Sequence, residues 1–342
     1  MTVLALRTSI NVNGVSKKHG QVSRRMWQPL WPDLPGRQVP IDSITNGVHL
    51  PTWVSSEMGS HFRRRFGSHW LEDHDDPARW EGIAAIPDSD LWAAHVRLKT
   101  KLLNFVRERT RRKWLQGVTS AEQLVGLGCF LNPDYLTIGF ARRFATYKRA
   151  TLILRDRERL KNILVNSKRP IQIIFSGKAH PADEEGKYLL QQIFEAGSSN
   201  GLRGHIAVIE DYDMHVAHYM LAGIDVWLNT PVPPLEASGT SGQKAAMNGV
   251  INFSVLDGWW AEGFNGENGW EIGGKDDDST ASALYDILEG EIAPTFYERD
   301  SRGIPVGWVG LMRESILSIA AAFSARRMMK EYCRKMYITE SG

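Results

Sequence analysis

From Tyr135 onward the chain alternates short apolar runs with longer amphipathic segments. Continuous apolar runs of this length predict strands that are buried on both faces, as in a parallel sheet covered by helices. Five runs fit this description: "YLTIGF", "IQIIFSG", "HIAVIE", "IDVWLN" and "VINFSVL". Helices are expected between them, from about Tyr147, from Asp183, from Met214 and around Lys244. The pattern therefore predicts an α/β fold with a Rossmann-like, doubly wound parallel sheet.

A longer helix is predicted to begin at "PDSDLW", where Asp88 or Ser89 can act as the N-cap. Eight basic residues between Arg97 and Lys113 are predicted to lie on its polar face. We interpret this face as solvated surface rather than a nucleic-acid site, because no aromatic platform or reading motif accompanies it. Apolar residues recur at helical spacing, at Leu91, Ala94, Leu98, Leu102 and Phe105.

Composition narrows the class of partner. The 342 residues include 41 basic and 39 acidic side chains, a net charge of +2 that gives no global field for nucleic acid. Only two cysteines occur, Cys129 and Cys333, which is typical of a reducing compartment, and no apolar run reaches membrane length. We therefore expect a cytoplasmic protein with neither a membrane nor a nucleic-acid partner.

The segment after the first predicted strand, "ARRFATYKR", is rich in cations. Arg142, Arg143 and Lys148 fall within one loop and the turn that follows it. Ligands of parallel sheets gather at the carboxyl ends of the strands, and clustered cations repel one another unless an anion lies between them. The loop therefore predicts a phosphate or dianion site, with ordinary surface basicity as the alternative.

The segment after "IDVWLN" contains a glycine-rich loop, "EASGTSGQK", that ends in Lys244. Gly239 and Gly242 allow a tight turn, and Thr240 and Ser241 can cap the next helix while their amides face an anion. The loop is not a Walker A motif, because its glycine spacing is too short and Ala245 replaces a magnesium-binding hydroxyl.

A lysine beside such a loop can serve as a fixed charge on phosphate, or as an amine that forms a Schiff base with an aldehyde cofactor. The second use accounts for the lysine and the loop together. No metal is predicted, because His215 and His218 have a metal-compatible spacing without a third ligand in view.

Several long segments resemble the α-glucan (glycogen) phosphorylase family, in particular its shorter prokaryotic branch. They are "TNGVHLPTWV", "IGFARRFATYKRATLI", "FSGKAHPADE", "EASGTSGQKAAMNGV" and "DGWWAEGFNGENGW", in the family's order. The resemblance implies a GT-B glycosyltransferase fold, with pyridoxal 5'-phosphate (PLP) held by an imine to Lys244. It also implies reversible transfer of glucose from the end of an α-1,4-glucan or maltodextrin to inorganic phosphate, giving α-glucose 1-phosphate.

The resemblance also implies a role for each candidate residue. Lys244 would be the imine lysine, and Arg143 and Lys148 would hold the substrate phosphate, so these three are the expected catalytic residues. The cofactor phosphate would contact Arg142 and the backbone of Thr240 and Ser241, and Tyr212 would line the cofactor. The sugar hydroxyls would contact Glu236, Ser238 and Gly239. The two phosphate sites are expected to lie close together.

A GT-B enzyme works between two domains, whereas this sequence is expected to hold one complete domain, with the N-terminal GT-B domain largely missing. Residues 1–90 are rich in turns and are interpreted as a remnant of that domain; residues 91–342 are assigned to the PLP-binding domain and its C-terminal helices. Three residues depart from the family pattern: Ile10, Val232 and Gln243.

Two alternative functions remain open from the sequence. The same fold serves nucleotide-sugar glycosyltransferases, which need no PLP, and a truncated product could bind PLP or glucan without catalysis. Association with a separate N-terminal domain, or with further copies of the chain, is also expected to be possible. The sequence does not decide whether the chain would be active by itself.

Overall fold

The five predicted strands all form, and they lie in one parallel sheet. The computed structural model describes residues 1–199 and 201–338. Its strands are β1 (Asn13–Gly14), β2 (Asp42–Ser43), β3 (Leu136–Ala141), β4 (Ile171–Ser176), β5 (Ile206–Ile209), β6 (Val226–Asn229), β7 (Ile251–Ser254) and β8 (Gly269–Glu271). The large sheet has the order β5–β4–β3–β6–β7–β8, and β1 and β2 form a separate parallel pair.

Helices connect the strands and precede the sheet. The α-helices are α1 (Thr2–Thr8), α2 (Lys17–Trp27), α3 (Leu50–Trp53), α4 (Ser56–Phe66), α5 (Pro77–Trp80), α6 (Asp88–Leu115), α7 (Ala121–Gly126), α8 (Arg157–Leu164), α9 (Glu184–Ser198), α10 (Met214–Gly223), α11 (Ser241–Ala246), α12 (Trp260–Gly263), α13 (Asp277–Ile287), α14 (Ala293–Tyr297), α15 (Val306–Ala320) and α16 (Ala325–Tyr332). Short 3-10 turns occur at Gln28–Leu30, Gly36–Gln38, Glu81–Ala85, Thr146–Lys148 and Leu152–Leu154, and π-helical turns at Leu288–Ile292 and Cys333–Tyr337.

Both faces of the sheet are covered, which confirms the doubly wound α/β class. Alternate residues of a strand enter different apolar clusters: in β4, Ile173 and Phe175 pack with α8 and α9, whereas Ile174 packs with α6 and α10. Continuous burial of β3, β4 and β5 follows from this double cover, and it explains why these strands read as unbroken apolar runs.

Residues 48–86 share the core of the sheet domain. Met58, Phe62 and Trp80 are fully buried in the same cluster as strand residues of β3 and β4. Val48 also bridges to Ser324, which precedes α16. The segment therefore folds against the sheet domain. Its assignment to a second GT-B domain stays a prediction.

Two local predictions of helix starts were wrong. The helix expected from Tyr147 begins ten residues later, because Arg149 adopts a left-handed conformation (φ 48°, ψ 47°) that ends the 3-10 turn. The helix then starts at Arg157, where the Asp156 side chain accepts from the Arg159 N–H. Helix α6 already includes Asp88, so Pro87 rather than Asp88 or Ser89 occupies the cap position.

Lys99, expected on the solvated face of α6, is instead buried. Its Nζ donates to Asp225 Oδ2 and to the Tyr135 carbonyl, both at 2.6 Å. Asp225 also accepts from His95 Nε2 at 2.6 Å and from the Thr137 N–H at 2.7 Å. Burial acts to raise the pKa of Asp225, but the charges of Lys99 and His95 hold that pKa below its usual value. This ionised cluster fixes α6 to the start of β3 and β6.

β8 is an addition to the predicted sheet. It pairs with β7 through Phe253 and Trp270, but only three residues form it and its first residue, Gly269, lies next to a turn-rich stretch. A periodicity signal needs a longer run than this. Within residues 1–199 and 201–338, every helix is too short or too polar to cross a bilayer.

We expect Lys99→Met to destabilise the protein by roughly 3 to 5 kcal/mol, because it leaves a buried carboxylate without its ammonium partner. Urea denaturation at pH 7 measures the loss. Lys101→Met is the matched control on the same helix: the Lys101 side chain is 56% exposed where it pairs with Glu57, so a change within about 1 kcal/mol is expected. Equal effects of the two substitutions would contradict the role of the buried cluster.

Candidate functional site

The site lies where the strand order reverses. β3 pairs with β4 on one side and with β6 on the other, so the loops that leave β3 and β6 diverge in opposite directions at the carboxyl edge. Ligands of doubly wound sheets bind at this switch point. The loop after β3 carries Arg142 to Lys148, and the loop after β6 carries Glu236 to Gly239. The topology therefore places the two predicted anion-binding loops side by side.

The glycine-rich loop after β6 has a backbone that is fixed from several sides. Ser16 Oγ donates to the Ala237 carbonyl at 2.7 Å, and the Glu236 N–H donates to Asp257 Oδ2 at 2.9 Å. Gly239 has a φ of 83°, a conformation that favours glycine. Gly258 passes so close that an added Cβ would lie 2.4 Å from the Ser238 carbonyl oxygen. The loop is thus held rigidly by residues outside it.

A buried carboxylate joins the two loops. Glu236 Oε2 accepts from Arg142 Nη2 at 2.7 Å and from Lys148 Nζ at 2.5 Å. All three side chains are nearly inaccessible to solvent. Burial acts to raise the pKa of Glu236, but Arg142 and Lys148 hold that pKa below its usual value. The structure therefore brings together three predicted site residues as one ionised cluster.

Arg143 lies outside this cluster. Its side chain is exposed, and within the ranges 1–199 and 201–338 it forms neither a hydrogen bond nor an ion pair. The neighbouring Arg142 is buried because successive side chains leaving a strand point to opposite sides. Of the three predicted cations, the structure therefore gathers Arg142 and Lys148 around Glu236 and leaves Arg143 at the surface.

Lys244 lies in α11, the short helix that follows the glycine-rich loop. Its Nζ is 3.9 Å from the centre of the Trp53 ring, and in the described part of the chain no carboxylate forms an ion pair with it. Burial lowers the pKa of Lys244 below its usual value. An amine of this kind is a better nucleophile at neutral pH than an exposed lysine, because more of it is unprotonated.

Trp53 was not predicted as a site residue. Its ring stacks on His218 at 4.5 Å, and its carbonyl accepts from Asn248 Nδ2, whose side chain also donates to the Lys244 carbonyl. Burial lowers the pKa of His218, and the nearby His215 and Lys244 act in the same direction. Trp53 lies in the segment "TNGVHLPTWV", so membership of that motif was the available signal. Asp257, which accepts from the Glu236 N–H, was not predicted either, and its place in the motif "DGWW" was the available signal.

The buried polar atoms without a hydrogen-bond partner among the described residues include two donors in these loops: Arg142 Nη1 and Ser238 Oγ. Burial raises the pKa of Tyr212, and the positive charge of Arg142 partly offsets this. Thr240 occupies the N-cap position of α11, but its side chain accepts no capping bond, and Ser241 is the first helical residue. These donors can hold an anionic group.

The motifs and this geometry agree with comparisons against known proteins. Residues 1–267 match the family model described as carbohydrate phosphorylase. The chain belongs to the carbohydrate phosphorylase family. It is 49% identical over 341 residues to the glycogen phosphorylase of Aquifex aeolicus (strain VF5), and the match covers 98% of this chain and 49% of that relative.

Two further relatives show the same relation. The chain is 46% identical to the maltodextrin phosphorylase of Thermococcus litoralis (strain ATCC 51850 / DSM 5473 / JCM 8560 / NS-C), and 44% identical to the glycogen phosphorylase of Mycobacterium tuberculosis (strain CDC 1551 / Oshkosh). Each match covers 98% of this chain and 40% of the relative. The chain thus spans half or less of the length of the curated relatives it matches.

We expect Glu236→Gln to destabilise the protein at pH 7 by roughly 3 kcal/mol, because it leaves two buried cations without their shared anion. A folded-state pKa below the ordinary value of 4.5 means that the ion pairs stabilise the protein above that pH and are lost as the pH falls through the folded-state pKa. Urea denaturation from pH 7 to pH 3 should therefore show the two proteins converging in acid. A gap that is independent of pH would contradict an ionised Glu236.

Proposed function

We propose that the chain carries the phosphate-binding and cofactor-binding half of an α-1,4-glucan phosphorylase. The reaction transfers the terminal glucosyl unit of a glycogen or maltodextrin chain to inorganic phosphate, giving α-glucose 1-phosphate with retention. The observation that carries the proposal is the buried Arg142–Glu236–Lys148 cluster, together with a lysine of lowered pKa, Lys244, on the helix that follows the Glu236 loop. The printed names of the relatives support the same reaction.

The cofactor that we propose is PLP, held covalently by Lys244. When bound, PLP supplies a phosphate group that exchanges a proton with the substrate phosphate. Arg142 Nη1, which lacks a partner among the described residues, and the backbone amides of Thr240 and Ser241 would hold that phosphate. Tyr212 would line the ring, and Trp53 would pack beside the Lys244 amine. These residues fit the group in charge and in donor chemistry.

Lys148 and Arg143 are proposed to hold the substrate phosphate, and Glu236, Ser238 and Gly239 to contact the sugar hydroxyls. We propose that the phosphate binds first and that Glu236 contacts the sugar afterwards. Glu236 pairs with both Lys148 and Arg142, so an entering substrate phosphate competes with Glu236 for the Lys148 ammonium. A carboxylate released in this way can accept hydroxyl hydrogen bonds from the sugar. Arg143, exposed and without an intramolecular partner in the described residues, can turn toward the phosphate at little cost.

A cytoplasmic location is proposed from the two cysteines, Cys129 and Cys333, which are both free thiols. Association with a separate N-terminal GT-B domain or with further copies of the chain is likewise a proposal. A GT-B reaction takes place between two domains, so closure by such a domain would exclude water from the two phosphates and strengthen each electrostatic contact.

We expect PLP to attach to Lys244 and to give the absorbance band of a lysine–PLP linkage. Borohydride reduction followed by peptide mass spectrometry should find the label on the peptide that contains "SGTSGQK". PLP should also raise the melting temperature, because it binds only the native state.

Lys244→Ala should abolish the label, whereas the exposed Lys275→Ala should keep it. Equal labelling of the Lys244→Ala protein would show that the cofactor assignment is wrong. Absence of label together with glucosyl transfer from UDP- or ADP-glucose would favour a nucleotide-sugar glycosyltransferase instead.

We expect Lys148→Ala and Arg143→Ala each to weaken the binding of inorganic phosphate about tenfold, since each removes one charge-assisted hydrogen bond. Titration calorimetry on the PLP-loaded chain measures the affinity. Arg155→Ala is the control, because Arg155 pairs with Asp277 and Asp278 on α13. Unchanged phosphate affinity in both site variants would remove these residues from the proposed phosphate site.

A further inference from the structure

Arg149, which directly follows Lys148, has a strained backbone. Its φ of 48° and ψ of 47° lie in the left-handed region, and Asp211 is the other non-glycine residue with positive φ in the described ranges. A side chain other than glycine in this region costs roughly 1 to 2 kcal/mol. Such a conformation persists only where the surroundings hold it, so the contacts of Arg149 must supply that restraint.

The Arg149 side chain makes three hydrogen bonds to two other elements. Nε donates to the Thr230 carbonyl and Nη2 to the Pro231 carbonyl, both at 2.9 Å. Nη1 donates to Asp277 Oδ1 on α13, also at 2.9 Å. The side chain is only 9% exposed. A planar guanidinium can satisfy this set of acceptors with a fixed geometry, which a lysine ammonium cannot reproduce.

Further bonds join the same two loops on either side of Lys148. The Val232 N–H donates to the Tyr147 carbonyl at 2.8 Å. Thr230 Oγ1 lies 3.1 Å from the Lys148 carbonyl and 3.2 Å from that of Arg149. The loop after β3 and the loop after β6 are therefore connected through residues 147–149 and 230–232. Lys148 and Glu236, which meet in the site, belong to these same two loops.

We propose that Arg149 is a positioning residue for phosphate binding: it locks the Lys148 turn onto the loop after β6, so that the Lys148 ammonium is held at the site. The proposal rests on the proposed function, since it takes Lys148 as a phosphate ligand. The hydrogen bonds of the Arg149 side chain in the described residues go to α13 and to the carbonyls of residues 230 and 231, and none goes to Glu236. It acts through the backbone of Lys148 and does not touch the phosphate.

The most informative variant is Arg149→Gly. Glycine adopts the left-handed conformation without strain, so the protein should fold, while the three side-chain hydrogen bonds are lost. We expect phosphate affinity of the PLP-loaded chain to fall about tenfold, as for loss of the Lys148 contact itself. Arg149→Lys keeps the positive charge but loses the planar guanidinium, so its phosphate affinity should fall by a similar factor. Arg155→Ala is the matched control and should bind phosphate as the unmodified protein does.

A double-mutant cycle separates positioning from an independent effect. If Arg149 acts through Lys148, adding Arg149→Gly to Lys148→Ala should weaken phosphate binding no further. Losses that simply add, or an Arg149→Gly protein that binds phosphate normally, would overturn the proposal. The calorimetric titration measures all four proteins of the cycle.

A second measurement reads the position of Lys148 without phosphate. Lys148 is buried, so acetic anhydride should modify it slowly in the unmodified protein, as followed by peptide mass spectrometry. Arg149→Gly should speed its modification several-fold, and Arg155→Ala should not. If the unmodified protein binds no phosphate but Arg149→Gly exposes Lys148, the phosphate site is wrong and the positioning role stands. If modification of Lys148 is unchanged, the positioning role is wrong whatever the phosphate result.

Discussion

One carboxylate, Glu236, holds together the two loops from which the candidate site is built. Its Oε2 accepts from Arg142 on the loop after β3 and from Lys148 on the turn that follows, while its own backbone is held by Asp257. Two buried cations this close would otherwise repel each other, and their burial would be costly. The conformation of both loops therefore depends on an anion at this position.

The same pair of strands is fixed at its other end by a second buried carboxylate. Asp225 precedes β6 and accepts from Lys99, His95 and the Thr137 N–H at the start of β3. The β3–β6 register pairs only Ile138 with Val226 and Gly139 with Trp227, against six pairs between β3 and β4. Because this central pairing is short, ionic contacts at both ends restrict how far β3 and β6 can shift. The switch point is thereby kept rigid where a ligand site requires fixed geometry.

The sequence was enough to predict strands β3 to β7 and the two loops at the switch point, but not the environment of each charge. Apolar runs and glycine spacing are local signals, and they located β3 to β7 and the loop before Lys244. Lys99 was misjudged because a cation's burial depends on partners far along the chain: Asp225 is 126 residues from Lys99. The false helix at Tyr147 has a similar cause. The 3-10 turn that forms there instead ends at Arg149, and the side chain of Arg149 is held by residues 230, 231 and 277.

The charge of the Arg142–Glu236–Lys148 cluster determines how a further anion can bind at the site. Arg142 and Lys148 carry two positive charges and Glu236 one negative charge, so the cluster has a net charge of +1 and attracts a further anion. A phosphate that displaces Glu236 must offset the loss of two buried charge-assisted hydrogen bonds, and its affinity reflects only the difference. Rigid loops make this exchange favourable, because the cations stay in place when their partner leaves and no further ordering is required. A flexible Lys148 turn would instead follow Glu236 away from the site.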